Sequence, residues 1–200
     1  MKIALMGGTF DPVHIGHLIG AETAANELGL DQVLFVPAAN PPHKLEVPIT
    51  SAVHRVAMLR EALAGNGRFG ICLEELERGG NSYTIDTLRS FKKRLKAGDE
   101  LFFILGADNL NDLHTWKNWE DIYREARIVA LAREGSNLGQ QAIEKKPGGK
   151  DIIFVRMPLI SISATGIRQA CEAGKSIRYM VPEPVAGYIE AHGLYRKSRS

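Results

Sequence analysis

Two hundred residues, 44% apolar and 24% charged, suit one soluble globular domain with a real core. A formal net charge of +2 argues against nucleic acid or a membrane surface as the main partner. Cys72 and Cys171 read as reduced packing residues, not a disulfide framework. With no signal peptide expected at Met1 and no apolar run long enough to span a bilayer, a cytoplasmic protein is expected.

The chain opens with a short apolar strand, Ile3 to Met6, broken at Gly7-Gly8 and followed by a helix. The helix is predicted to begin near Pro12 or Val13, with Asp11 accepting the N–H groups of its first turn, and to span about Ile15 to Leu28, where Gly29 stops it. A strand–loop–helix unit of this kind aims backbone donors and a positive dipole end at one small volume, which suits a phosphate. His14 and His17 are three apart and would share a helix face there, with Gly16 removing a side chain that would block a ligand. An isolated H-x-x-H is equally compatible with a half-built metal site or with polar surface.

Val33 to Val36 is the second strand and completes a βαβ unit; the loop Pro41-Pro42-His43-Lys44 follows it on the same rim. Ser51 can cap a helix whose apolar face carries Val53, Val56, Met58, Leu59 and Leu63. Ile71 to Leu73 is a third strand. Ser82-Tyr83-Thr84 opens a helix to about Leu95, with Ile85, Leu88, Phe91 and Leu95 inward and a basic outer face, read as solvated. Leu101 to Leu105 is a continuous apolar run, as a central parallel strand should be. It ends at Gly106-Ala107-Asp108, where an acidic residue can hold ribose hydroxyls or cap the next helix. Trp116 and Trp119 follow, either core or ligand-lining.

Ile128 to Leu131 is the fifth strand, with Arg133 beyond it; residues 135–150 read as a surface excursion, and Ile152 to Val155 as the sixth strand. Hydroxyls and an arginine then stand at the start of a helix near Thr165 to Ala173, which suits either a second anion site or a plain cap. A last helix spans Pro182 to His192, before a basic tail, Arg196 to Ser200, expected to fray. The alternation predicts an α/β fold, a Rossmann-like doubly wound parallel sheet in three layers, as one domain over 1–200 with a C-terminal helical part (about 163–195) packed against it. The G-x-G-x-x-G and G-x-x-x-x-G-K-[ST] fingerprints are absent, which speaks against a hydride-transfer domain and a P-loop ATPase.

The string Gly7 to His17 closely resembles the signature of the nucleotidyltransferase superfamily. His14-Ile15-Gly16-His17 also matches class I aminoacyl-tRNA synthetases, but the K-M-S-K-S loop and anticodon-reading domain of those enzymes are missing. Gly7 to His17, Pro41 to Lys44, Ser82-Tyr83-Thr84, Gly106 to Asp108, Trp116, Ile162 to Arg168, Pro182 to Val185 and Gly193 to Tyr195 recur in this order in bacterial nicotinate-nucleotide adenylyltransferases. The resemblance covers essentially the whole chain. Ala164 departs from it where many members have a second serine, and Ala38-Ala39 where relatives often carry asparagine.

The resemblance implies transfer of AMP from ATP to nicotinate mononucleotide, as the nucleotidyltransferase fold carries it out. By the same analogy His14 and His17 hold ATP phosphates, the Gly7, Gly8, Thr9 and Phe10 backbone cradles the nucleotide, and Lys44 bridges phosphates. Gly106 and Asp108 hold the adenosine ribose; Ser163, Thr165 and Arg168 clamp the β- and γ-phosphates, with Mg²⁺ bridging oxygens. Trp116 would stack on the pyridine ring, the backbone N–H groups of Thr84 and Lys117 would read its carboxylate, and Arg133 would add a phosphate contact. No resident metal site is expected, and a homo-oligomer is compatible with the sequence. Two rival readings stay open: a phosphopantetheine, glycerol-phosphate or nicotinamide-mononucleotide nucleotidyltransferase, and a non-catalytic nucleotide sensor or weak RNA binder.

Overall fold

The computed structural model describes residues 1–40, 49–133 and 152–197, and its six strands form one all-parallel sheet. They are β1 (Lys2–Gly8), β2 (Gln32–Pro37), β3 (Phe69–Ile71), β4 (Glu100–Gly106), β5 (Arg127–Arg133) and β6 (Ile153–Met157), in the order β3-β2-β1-β4-β5-β6. Helices α1 (Ile15–Leu28), α2 (Ala52–Leu63), α3 (Glu74–Arg78), α4 (Thr84–Lys92), α5 (Asp108–Asp112), α6 (Trp119–Glu125), α7 (Ala164–Glu172) and α8 (Glu183–Ala191) connect or follow them, with a 3₁₀ turn at Leu113–Thr115. The order reverses between β1 and β4, so the connections leave those strands in opposite directions and open a crevice at their carboxyl ends.

Alternation along the central strands supplies both faces of the core. Ala4, Met6, Phe102, Ile104, Val129 and Leu131 face a layer made by α1, α2, α7 and α8; Ile3, Leu5, Leu101, Phe103, Ile128 and Ala130 face a layer made by α4, α5 and α6. Burying one such aliphatic or aromatic side chain contributes about 1.5–3 kcal/mol, so the double-sided strands are the most strongly held. Gly20 lets α1 approach β5, since a Cβ there would lie 2.6 Å from Leu131 Cδ1. Through Ile167, Val185 and Ile189, α7 and α8 join the same apolar cluster as α1.

Several local expectations are corrected. The first helix spans Ile15–Leu28 as expected, but no helical turn begins at Pro12 or Val13, and its N-cap is His14, in an extended conformation (φ −144°). Asp11 does not cap it, because its carboxylate is drawn into buried hydrogen bonds with Tyr195 and Thr50. On α2 the inward face holds Arg55, 2% exposed, while Val53 is 75% exposed. The helix expected to reach Leu95 ends at Lys92, and β6 runs two residues past Val155. Cys72 is buried just past β3 and donates its N–H to the Phe35 carbonyl at 2.9 Å. The basic face of α4 is not only solvated: Arg89 meets Asp121 at 2.6 Å, Lys92 meets Glu125 at 3.1 Å, and Arg94 pairs with Glu74. The proposed excursion over 135–150, the Pro41 to Lys44 loop and the last three residues of the tail lie outside the described residues.

Candidate active site

The glycine loop is shaped by one ring. Phe10 adopts φ +51° and is 2% exposed, with its ring 5.1 Å from that of His17 and 5.5 Å from that of Phe35. A Cβ on Gly8 would lie 2.8 Å from Phe10 Cζ, so the loop needs glycine there because the phenyl folds over it. Gly7 and Gly8 end β1 beside β2, and the Gly8 carbonyl accepts from the Ala38 N–H at 2.9 Å. The N–H of Ala39 in turn donates to Ser82 Oγ at 2.8 Å, which ties the end of β2 to the segment opening α4.

His14 and His17 do share the first turn, with rings stacked at 3.7 Å. His17 Nδ1 accepts from the His14 backbone N–H at 3.2 Å, the part that glutamate plays in a capping box. A neutral ring that accepts at Nδ1 carries its proton on Nε2, so His17 is set up to present an Nε2–H donor. Gly16 makes room for the His14 ring, whose Nδ1 would lie 3.1 Å from a Cβ there. The N–H of Ile15 donates to the Met180 carbonyl at 3.0 Å, so the helix start offers a phosphate fewer amide donors than the sequence suggested.

The motif near the C-terminus meets this loop directly. Arg168 donates from Nη1 to the Asp11 carbonyl at 2.7 Å and from Nη2 to Thr165 Oγ1 at 3.2 Å. Ser163 is the N-cap of α7, its Oγ accepting from the Gly166 N–H at 3.1 Å, and both Ser163 and Thr165 are exposed. The cap role is therefore realised, and its hydroxyl remains at the surface of the crevice.

Gly106 ends β4 on the other side of β1, and Asp108 is exposed as the first residue of α5, with Ala107 at the N-cap position. On the second face Trp116 is half-buried, its ring edge-on to Phe103 with centroids 6.2 Å apart. Lys117 Nζ pairs with Asp86 at 3.0 Å and sits 4.4 Å over the Tyr83 ring, which brings the Trp116–Lys117 turn to the Thr84 end of α4. Between Gly7, Val36, Thr84, Thr87 and Phe103 lies a narrow cavity of about 20 Å³. A larger one, about 410 Å³, opens at the opposite ends of β4 and β5 among Lys92, Lys96, Arg124 and Arg127, and holds none of the predicted site residues. Lys44 lies outside the described residues, as does the side chain of Arg133 at the end of β5. The structure thus gathers Gly8, Thr9, Phe10, His14, His17, Thr165 and Arg168 on one side of β1, whereas Gly7 faces Phe103 on the other. Thr84, Trp116 and Lys117 assemble on the other.

The contacts of three residues at this site were not foreseen. Arg55 donates from Nη1 to the Thr9 carbonyl at 2.8 Å and from Nε to the Thr50 carbonyl at 2.9 Å, and burial lowers its pKa against the opposing pull of Asp11. Asp11 and Tyr195 form a 2.6 Å hydrogen bond behind the loop. Asp11 and Tyr195 stood within recognisable motifs, and Arg55 as an arginine amid apolar residues on a helix, but a contact across 184 positions leaves no signal.

Residues 5–170 match the family model described as Cytidylyltransferase-like. A Thermus thermophilus protein named "Probable nicotinate-nucleotide adenylyltransferase" is 48% identical over 196 residues, covering 98% of this chain and 100% of that one. The chain belongs to the nicotinate-nucleotide adenylyltransferase family. A family member of the same name from Exiguobacterium sibiricum is 47% identical, covering 98% of this chain and 99% of its own. The fold is also that of Plasmodium falciparum nicotinic acid mononucleotide adenylyltransferase complexed with NaAD. That structure superposes with TM-score 0.80 at 21% identity over 97% of each chain. Among the described residues of this family member, no helix is long and apolar enough to cross a membrane.

Proposed function

We propose that this chain transfers the adenylyl group of ATP to the 5′-phosphate of nicotinate mononucleotide, releasing pyrophosphate and nicotinate adenine dinucleotide in NAD biosynthesis. Full-length identity to adenylyltransferases supports the reaction class. The observation that carries the site is the meeting of the first and last motifs through Arg168 and the Asp11 carbonyl.

The acceptor phosphate oxygen is already ionised near neutral pH, so it attacks the α-phosphorus without a general base. One P–O bond forms as the bond to the β-phosphate oxygen breaks. The barrier is then one of bringing two polyanions into line and stabilising the departing charge. His17 Nε2–H, the His14 side chain and the glycine-loop backbone receive the triphosphate, while Thr165, Ser163 and Arg168 hold its leaving end. Asp108 and Gly106 take the adenosine ribose at the adjacent strand end. Lys44 and Arg133 belong to the proposal as further phosphate contacts.

The donors around the loop are imidazole, guanidinium and hydroxyl, which suit phosphate oxygens better than a hard divalent cation. Mg²⁺ therefore fits as a companion of ATP, and when bound it neutralises charge on the triphosphate. The acceptor ring belongs beside Trp116 and Phe103, with the N–H groups of Thr84 and Lys117 toward its carboxylate. The cavity between Thr84 and Phe103 is roughly the size of one water, so a pyridine ring enters it only if its walls move apart.

Pyrophosphate release with ATP and Mg²⁺, offering nicotinate mononucleotide, its amide and phosphopantetheine in parallel, tests the reading. Release with nicotinate mononucleotide well above the other two is expected. Equal or greater release with the amide or with phosphopantetheine would overturn the acceptor assignment, and ATP binding without release would overturn the reaction.

A further inference from the structure

Behind the glycine loop lies a buried charged cluster that the reaction as described does not use. Asp11 is 4% exposed, and both of its carboxylate oxygens are taken up by donors within the chain. Oδ1 accepts from the Tyr195 hydroxyl at 2.6 Å and Oδ2 from the Thr50 N–H at 3.1 Å. Arg55, 2% exposed, binds the carbonyls of Thr50 and Thr9, so a buried cation and a buried anion brace the same short stretch of backbone from two sides. That stretch contains Phe10 at φ +51°, a conformation that persists only when its surroundings over-determine it. The carbonyl of Asp11 is also the anchor of Arg168 Nη1, at 2.7 Å. Burial, with Asp11 adding to it, pushes the Tyr195 phenol far above the ordinary range, so the hydroxyl remains the donor at any working pH.

We propose that Tyr195 is a positioning residue for the ATP half of the site: by holding the Asp11 carboxylate it sets the Thr9–Asp11 backbone and, through the Asp11 carbonyl, the aim of Arg168. The C-terminal turn then serves the transfer step without touching a substrate. This rests on the adenylyl-transfer reading above. The deletion of one oxygen, Tyr195→Phe, leaves ring packing in place and removes the only donor that the phenol gives to Asp11.

The test uses the full chain, with steady-state pyrophosphate release against varied ATP and nicotinate mononucleotide, and with thermal unfolding measured alongside. Tyr195→Phe is expected to lower kcat by roughly 10- to 100-fold, the scale of a sub-ångström to ångström misplacement, with KM for the mononucleotide unchanged. In an Arg168→Lys background, the same change should cost much less, because both act on one contact. A lowered Tm with wild-type kcat at temperatures well below it would show a merely structural role and overturn the proposal. Full additivity with Arg168→Lys would overturn it too.

Should Tyr195→Phe not fold, 3-fluorotyrosine at position 195 keeps the shape of the side chain. Its ¹⁹F resonance should move as ATP saturates, and a resonance indifferent to ATP contradicts the proposal. If the wild-type chain bound ATP but did not turn it over, the function reading would fail by itself. Calorimetric ATP affinity of Tyr195→Phe against wild type would still decide this inference: weaker binding supports it, and equal binding refutes it.

Discussion

Arg168 and Asp11, 157 positions apart, are joined by a 2.7 Å hydrogen bond from a guanidinium to a main-chain carbonyl. That single contact closes the site, because it fixes the cation of the last motif against the loop of the first. It also makes Arg168 answer to backbone shape, which a lysine with one point charge and no fork cannot reproduce.

Arg168→Ala should therefore lower kcat by roughly 10²–10³-fold, the scale for removing one preorganised transition-state donor. Arg168→Lys should recover only a minor part of it. Steady-state assays on variants with wild-type circular dichroism check this, and full recovery by lysine would show that charge alone matters.

His17 has two separable roles. His17→Ala should reduce turnover by roughly 10²–10³-fold and also weaken the helix start by about 1 kcal/mol, since the His14 N–H loses its acceptor. His17→Gln keeps an acceptor, so its Tm should lie closer to wild type while turnover stays low. Thermal unfolding of the two variants side by side separates cap from donor; turnover restored by glutamine would deny the imidazole its part.

Trp116→Ala should act on the acceptor. Loss of one stacked aromatic pair is worth about 0.5–1.5 kcal/mol beyond area, so KM for the mononucleotide should rise roughly 2- to 12-fold while KM for ATP holds. An unchanged acceptor KM would take Trp116 out of the site.

Gly8→Ala tests the packing that shapes the loop. The Phe10 ring that a new methyl would meet at 2.8 Å is pinned against Phe35 and His17 and cannot retreat cheaply. Destabilisation of about 1–3 kcal/mol by denaturant unfolding is expected, with activity lost well beyond what that implies. A neutral Gly8→Ala would mean the phenyl is not a fixed wall.

The central strands were legible because buried parallel strands must be apolar on both faces, as Leu101 to Leu105 is, whereas the half-buried edge strand β3 lies at Phe69–Ile71 and not at Ile71 to Leu73; the helices showed because their apolar spacing is local. The five-residue α3 was invisible: Glu-Glu-Leu-Glu-Arg has too few apolar positions to show a period. Asp11 was misplaced for a different reason. As an acidic residue shortly before a helix it satisfies the local rules for a cap, and the donors that compete for it, the Thr50 N–H and the Tyr195 hydroxyl, lie 39 and 184 positions later. Arg55 was hidden likewise, since its carbonyl partners come from two separate loops. The site residues were readable as a motif, whereas the braces that hold them depend on contacts that no spacing encodes.

Under the proposed function ATP sits at the carboxyl ends of β1 and β4, where the Gly7 to His17 and Ile162 to Arg168 motifs meet. Backbone amide shifts on titrating the ¹⁵N-labelled chain with ATP measure it most directly. Gly8, Gly16, Asp108, Thr165 and Arg168 should move together and saturate at one concentration, while Lys96 and Arg127 at the far cavity stay still. Saturable shifts at Lys96 and Arg127, with Gly8 and Arg168 unmoved, would contradict it.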